Sequence, residues 1–362
     1  MLERPPILVF PAGMAEACRF AEEAVARGRP VIGASSLAFD PARTLYADWA
    51  WLPYYDAPDF AERLVALVQD RGIAGIHTPH PVVHAHLRAM LPRLLPDCPL
   101  EGASPYQGDL DTYRRALRDA AGLADAGVGL GGAAPLAPPL GLEAAAAFLR
   151  QSRAVPGMCD DTKLWALAAI ARHAPAGDVV EIGSWWGKSA AALAWLSARH
   201  GIGALLCVDP WSVEEACQER ADLDSITATA DHEEAARIFR ISLLGLALRG
   251  VNYLRMPSVD GAARYRAAPL VRSEAFGETA YTGSIAVLHV DGNHQHAQVS
   301  ADLLAWMPML RDRGWLVLDD YLWPFGDGPR RAGDALLAAR AADVLCAFTA
   351  GSALFVQLRK AG

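Results

Sequence analysis

Apolar residues in this chain fall into two kinds of run. Short unbroken runs rich in β-branched residues predict buried strands at Ile7–Phe10, Pro30–Ala34 and Ile73–His77. The same pattern returns at Asp178–Gly183, Ala204–Val208, Val251–Met256, Ser284–Val290 and Gly314–Leu318. Between these runs lie stretches with helical spacing. Ala15–Arg27 closes on Gly28, and Phe60–Asp70 stops at Gly72. Asp161–His173 reads as an amphipathic helix, a strongly apolar helix ends near Ala198, and Ala297–Leu310 forms another. Alternation of strand and helix implies parallel sheets with crossover helices, so the expected class is α/β.

The stretch Gly122–Gly141 is rich in Gly, Pro and Ala, almost uncharged and without apolar period, and so reads as a linker. The expected organisation is a smaller Rossmann-like domain over 1–121, a linker over 122–142 and a larger α/β domain over 143–362. A chain of 362 residues, 52% hydrophobic and 20% charged, can bury the cores of both. A net charge of −8 offers no bulk attraction to nucleic acid or to an anionic membrane. The run Ile7–Phe10 is too short to span a bilayer or to act as an export signal. Six scattered cysteines without a C-x-x-C pair suggest neither a zinc ribbon nor a disulfide framework, so a cytoplasmic location is the expectation.

The chemistry gathers in the second half. Asp178–Gly183 is a strand ending in glycine, and Ser184-Trp185-Trp186-Gly187-Lys188-Ser189 leads into a helix. Such a junction turns backbone N–H groups toward a ligand. A phosphate-binding P-loop needs four residues between its glycines, but Gly183 and Gly187 enclose three; G-x-G-x-x-G is absent as well. What remains is the E/D-x-G-x-x-x-G loop, which EIGSWWG fits. Asp209, at the end of the next strand, stands where an acid accepts hydrogen bonds from ribose hydroxyls. Trp211 follows it, and Ser258 follows the third strand where such folds approach adenine. Glu181, Gly183, Ser184, Gly187, Ser189, Asp209, Trp211 and Ser258 are thus the expected cofactor-binding residues.

Two later strands end in acids, Asp291 after Val290 and Asp319-Asp320 after Leu318. Neighbouring parallel strands bring their carboxyl ends together, so the three aspartates should converge. Clustered carboxylates repel one another unless a cation binds, and oxygen ligands suit Mg²⁺ or a similar hard ion. His294, three residues beyond Asp291, is placed to take a proton near neutrality. His77, His80, His84 and His86 also cluster, and His80 and His84 have an i, i+4 spacing that can bind metal. No carboxylate or cysteine lies close to them in sequence, so loop and surface histidines are the expectation.

The segments VVEIGSWWGKS, LLCVDPW and LHVDGNHQHAQVSADLLAWMPMLRDRGWLVLDDY resemble the macrocin O-methyltransferase group of class I S-adenosylmethionine (SAM) dependent enzymes, related to cephalosporin hydroxylase-like proteins. The resemblance implies a seven-stranded methyltransferase sheet, bound SAM, and Mg²⁺ held by Asp291, Asp319 and Asp320, with His294 as catalytic base. Here the acidic pair is Asp-Asp, where related proteins often have Glu-Asp. The segments ILVFPAG, RGRPVIGAS, YADWAWLP and DRGIAGIHTPH resemble the pre-ATP-grasp domain of ATP-grasp ligases, which implies a Rossmann-like fold and not ligase activity.

The expected partner is a small hydroxylated acceptor, such as a sugar or polyol, and a homo-oligomer is compatible with the sequence. Trp211, Tyr321, Trp323 and Phe325 could stack on an acceptor or serve only as core or lid packing. The polar stretch Ser212–His232 has the character of a lid. Two rival readings stand beside methyl transfer. One is a metal-dependent hydroxylase or hydrolase on the same scaffold, and the other is a non-catalytic SAM- or nucleotide-binding module.

Overall fold

The structure, a computed structural model, describes residues 4–126, 130, 135–218, 224, 229–246 and 250–360. Parts of the expected linker and of the expected lid lie outside the described residues. The chain divides into two units, Met1–Arg115 and Ala116–Gly362.

The first unit holds a parallel sheet of β1 (Ile7–Val9), β2 (Val31–Ser35), β3 (Asp48–Trp51) and β4 (Gly75–His77), in the order β3-β2-β1-β4. Leu8 and Ile76 are fully buried, as the apolar runs require. The helix Ala15–Ala26 crosses between β1 and β2. The helix Phe60–Arg71 ends at Gly72, whose φ of 59° is the left-handed conformation that glycine tolerates at a helix end. The four clustered histidines are engaged in packing and capping. His77 stacks on Phe20, His80 caps the helix Pro81–Leu94, His84 Nε2 lies 3.4 Å from the Gly102 carbonyl, and His86 edges against Tyr55 and Phe60.

The second unit is built on seven strands: β5 (Asp178–Ile182), β6 (Leu205–Val208), β7 (Val251–Leu254), β10 (Ile285–Val290), β11 (Leu310–Leu318), β12 (Val344–Ala350) and β13 (Ala353–Leu358). A separate hairpin of β8 (Leu270–Ser273) and β9 (Gly277–Ala280) follows β7 in the chain. The sheet order is β12-β13-β11-β10-β5-β6-β7, with β13 antiparallel to both of its neighbours. This is the seven-stranded methyltransferase-like sheet expected from the sequence. Alternate residues of each strand enter opposite cores. Leu205 and Cys207 pack in one cluster, Leu206 and Val208 in the other. A sheet covered on both faces explains why its central strands read as continuous apolar runs.

Two details differ from the sequence reading. The helix His296–Trp306 ends early, and β11 starts at Leu310, where the register jumps so that Leu310 pairs with Ile285 and Trp315 with Val287. The helix Asp161–Ala171 is not amphipathic. Lys163, Leu164, Ala166, Leu167, Ala168, Ile170 and Ala171 are all buried, which puts the helix inside the unit. Among the described residues, no helix is long and apolar enough to cross a membrane.

Candidate active site

The strand order reverses between β5 and β10, and in open α/β sheets the carboxyl edge at such a point is where ligands bind. Gly183 leaves β5 with φ 77°, and a methyl group placed on it would lie 1.9 Å from the Asp291 carbonyl oxygen. Glycine is therefore required so that the loops after β5 and β10 can touch. Gly187, at φ 89°, opens the helix Lys188–His200 without a side-chain cap, leaving the first-turn donors without a side-chain acceptor from that position.

The residues expected around the cofactor fall into two groups. Gly183, Ser184 and Gly187 form the loop itself. The others brace it or pack nearby. Asp209 is buried, and both its oxygens are engaged by backbone N–H groups: Ser184 and Trp185 donate to Oδ2 at 2.8 and 2.9 Å, Trp211 to Oδ1 at 2.7 Å. Burial raises the Asp209 pKa, and these three bonds work against the rise. Glu181 is fully buried. It accepts from the Ser184 hydroxyl at 2.7 Å and faces His289 Nδ1 at 3.0 Å. Trp211 packs in the core against Phe239 and Tyr253, its indole N–H donating to the Trp185 carbonyl. Ser189 is buried in its helix, and the Ser258 hydroxyl accepts from the Trp306 indole at 2.9 Å.

The three expected metal-binding aspartates meet at the same edge but do not converge on one point. Asp319 turns inward and Asp320 outward, and Asp291 lies near both. Two groups with metal-like spacing result, His289–Asp291–Asp319 and Asp291–His294–Asp320. In the outer group His294 Nε2 lies 2.8 Å from Asp320 Oδ2. Its Nδ1 faces the Gln218 side-chain oxygen at 3.0 Å, and its ring lies 4.3 Å from that of Trp323. Asn293 donates to the carbonyls of Glu215 and Cys217, which ties the described start of the expected lid to the loop that carries His294. Tyr321 reaches the other way, to Asp334.

In the inner group the structure places a residue that the sequence reading passed over. Lys163 contacts Asp319 Oδ2 and lies 3.3 Å from Asp291 Oδ2, with its side chain 2% exposed. Burial opposes the charged amine, but Asp291 and Asp319 outweigh it and hold Lys163 protonated above its usual range. Burial likewise opposes ionisation of Asp319, and the Lys163 charge overrides it, keeping that carboxyl well below the usual range. Asp291 is pushed up by burial and by the Asp319 charge. His289, on β10, is the second residue missed. Its Nε2 is buried without a hydrogen-bond partner, 3.9 Å from Asp291 Oδ2. A divalent ion does not fit the inner group, because the ammonium already bridges its two carboxylates.

Residues 180–321 match the family model described as a methyltransferase domain. The second unit carries a methyltransferase domain. No curated protein matches the chain. Solved structures similar to it include the O-methyltransferase NovP, at 17% identity over 55% of this chain and 80% of that one, with a TM-score of 0.40. The calicheamicin methyltransferase CalS11 is 13% identical over 71% of this chain and 94% of that one, with a TM-score of 0.39. MycE, a methyltransferase of the mycinamycin biosynthetic pathway, is 15% identical over 51% of this chain and 45% of that one, with a TM-score of 0.31. In the methyltransferase domain the family match spans the glycine loop, Asp209, Asp291, His294 and the Asp319-Asp320 pair.

Proposed function

We propose that the methyltransferase domain is a SAM-dependent O-methyltransferase that acts on a hydroxyl group of a small molecule or sugar, with His294 as its base. The observation that carries this reading is the Asp320–His294 dyad at the carboxyl edge of the sheet, beside the glycine loop. An alcohol is a poor nucleophile at neutral pH and needs a group to take its proton. Asp320 holds Nε2 of the imidazole, so the proton-accepting atom is Nδ1. Nδ1 faces Gln218, and an acceptor hydroxyl reaches it by displacing that amide. The proton passes from the hydroxyl to Nδ1, and Asp320 stabilises the resulting imidazolium.

The residues present fit the cofactor. Gly183, Ser184 and Gly187 would hold it, with the uncapped start of the Lys188–His200 helix supplying N–H donors. Bound there, SAM would supply an electrophilic sulfonium methyl group for transfer to the acceptor oxygen, with S-adenosylhomocysteine as the leaving group. Trp323, tilted at 45° against the His294 ring, offers a face for a sugar or a flat ring.

Calorimetric titration of the purified full chain with SAM tests the cofactor. The expected result is one-to-one binding, and a folded sample free of co-purified SAM that binds none would remove the reading. Transfer of label from SAM across a panel of hydroxylated small molecules then identifies the acceptor class.

A further inference from the structure

Carboxylates crowded at a sheet edge need a cation, and this chain brings one of its own. Lys163 reaches Asp319 and Asp291 from the helix Asp161–Ala171. That helix is placed by Asp160, whose side chain accepts from the Lys163 backbone N–H at 2.7 Å. Its side chain is buried, as are Leu164, Leu167 and Ile170 on the same helix. A lysine this deep is tolerated only when its charge is paired.

Three further features bear on what the site can hold. A dication between Asp291 and Asp319 would stand against a buried ammonium with strong Coulomb repulsion. Asp319 Oδ1 is also engaged, accepting from the Asp320 backbone N–H at 2.9 Å and from the Ser352 hydroxyl at 3.2 Å. In the outer group His294 Nε2 lies 2.8 Å from Asp320 Oδ2, so an ion shared by Asp291 and Asp320 would have to displace that pairing.

We propose that the Lys163 ammonium is the resident cation of the Asp291–Asp319 pair and stands in for the divalent ion, so that this protein neither binds nor requires Mg²⁺. The inference goes beyond the proposed O-methyl transfer, and its test needs neither SAM nor an acceptor. Lys163 is a positioning residue: it holds Asp291 and Asp319, and through them ties the loop after β10 to the loop after β11.

The experiment is Mn²⁺ binding by paramagnetic resonance on the purified full chain, with thermal unfolding in Mg²⁺ and in chelator alongside. For wild type the expected result is a free-Mn²⁺ signal unchanged by the protein and the same melting temperature in both buffers. Stoichiometric loss of the Mn²⁺ signal, or a melt raised by Mg²⁺, would overturn the proposal. Lys163→Met strands two carboxylates, so it should melt lower than wild type in chelator and regain stability as Mg²⁺ is added, by mass action. Lys163→Arg keeps the charge and should stay indifferent to the ion. A Lys163→Met protein that melts like wild type in chelator would also overturn the proposal, because the lysine would then be holding nothing. If Lys163→Met yields no folded protein, the wild-type Mn²⁺ measurement decides alone.

Discussion

Asp209→Ala separates two jobs that an acid after the second strand of the methyltransferase sheet can do. In this structure its carboxylate accepts three backbone N–H bonds, two from the glycine loop and one from Trp211; those from Ser184 and Trp211 are buried and that from Trp185 is partly buried. Alanine removes every acceptor and leaves three donors stranded. At about 1–3 kcal/mol for each unsatisfied buried donor, and with the loop relaxing toward water, the loss is about 3–6 kcal/mol. Asp209→Asn keeps the shape and one acceptor oxygen, so it should lose less, about 1–3 kcal/mol. Urea unfolding followed by tryptophan fluorescence measures this, and the alanine variant should lower the midpoint by roughly 2 M at an ordinary denaturant slope. SAM titration of the same samples supplies the contrast. An Asp209→Ala protein as stable as wild type but with SAM affinity abolished would refute the bracing argument and return the carboxylate to the ribose alone.

His294→Ala removes the proposed base and should lower turnover by about 10²-fold or more while SAM affinity stays close to wild type; a near-normal rate in a methyl-transfer assay would remove His294 from the mechanism. Asp302, buried in the helix His296–Trp306, has its pKa raised to about 6 by burial, with a hydrogen bond to Ser258 opposing the rise. Because the folded value lies above the unfolded one, the stability it contributes is present below the unfolded value and is lost as pH rises through 6. Asp302→Asn should therefore stabilise the protein well above pH 6, by up to about 3 kcal/mol, and change little near pH 4; equal stabilisation at both pH values would show that the carboxylate's ionisation is not the cause.

Much of the sheet was legible because its central strands bury both faces. DVVEI and IAVLHV are fully buried in the structure and leave mostly apolar runs in the sequence, broken only by Asp178, Glu181 and His289. The strand DWAW of the first unit and the hairpin LVRS and GETA bury little, so nothing in their hydrophobic pattern marked them. The gathering of Asp291, His294, Asp319 and Asp320 was also legible, since β10 and β11 are neighbours and both end at the same edge. The direction in which each carboxylate turns was not legible. Asp319 and Asp320 are consecutive, and consecutive residues leaving a strand face opposite ways. Asp320 then enters the left-handed region at φ 52°, which completes the divergence toward His294. An adjacent acidic pair is thus poorly suited to serve one inner ion with both members.

Convergent aspartates demand positive charge, and the sequence alone offers an external ion for it. Lys163 lies 128 residues before Asp291 and 156 before Asp319, so no local spacing connects them. A helical pattern does carry the signal. In DTKLWALAAIA, Lys163 shares a face with Ala166, Leu167 and Ile170, which puts a charged residue on an apolar stripe in a helix whose other positions are nearly all hydrophobic. A lysine there either reaches water along its stem or finds a buried anion. With its side chain 2% exposed it has taken the second course, and the acids at the ends of β10 and β11 are the anions it reached.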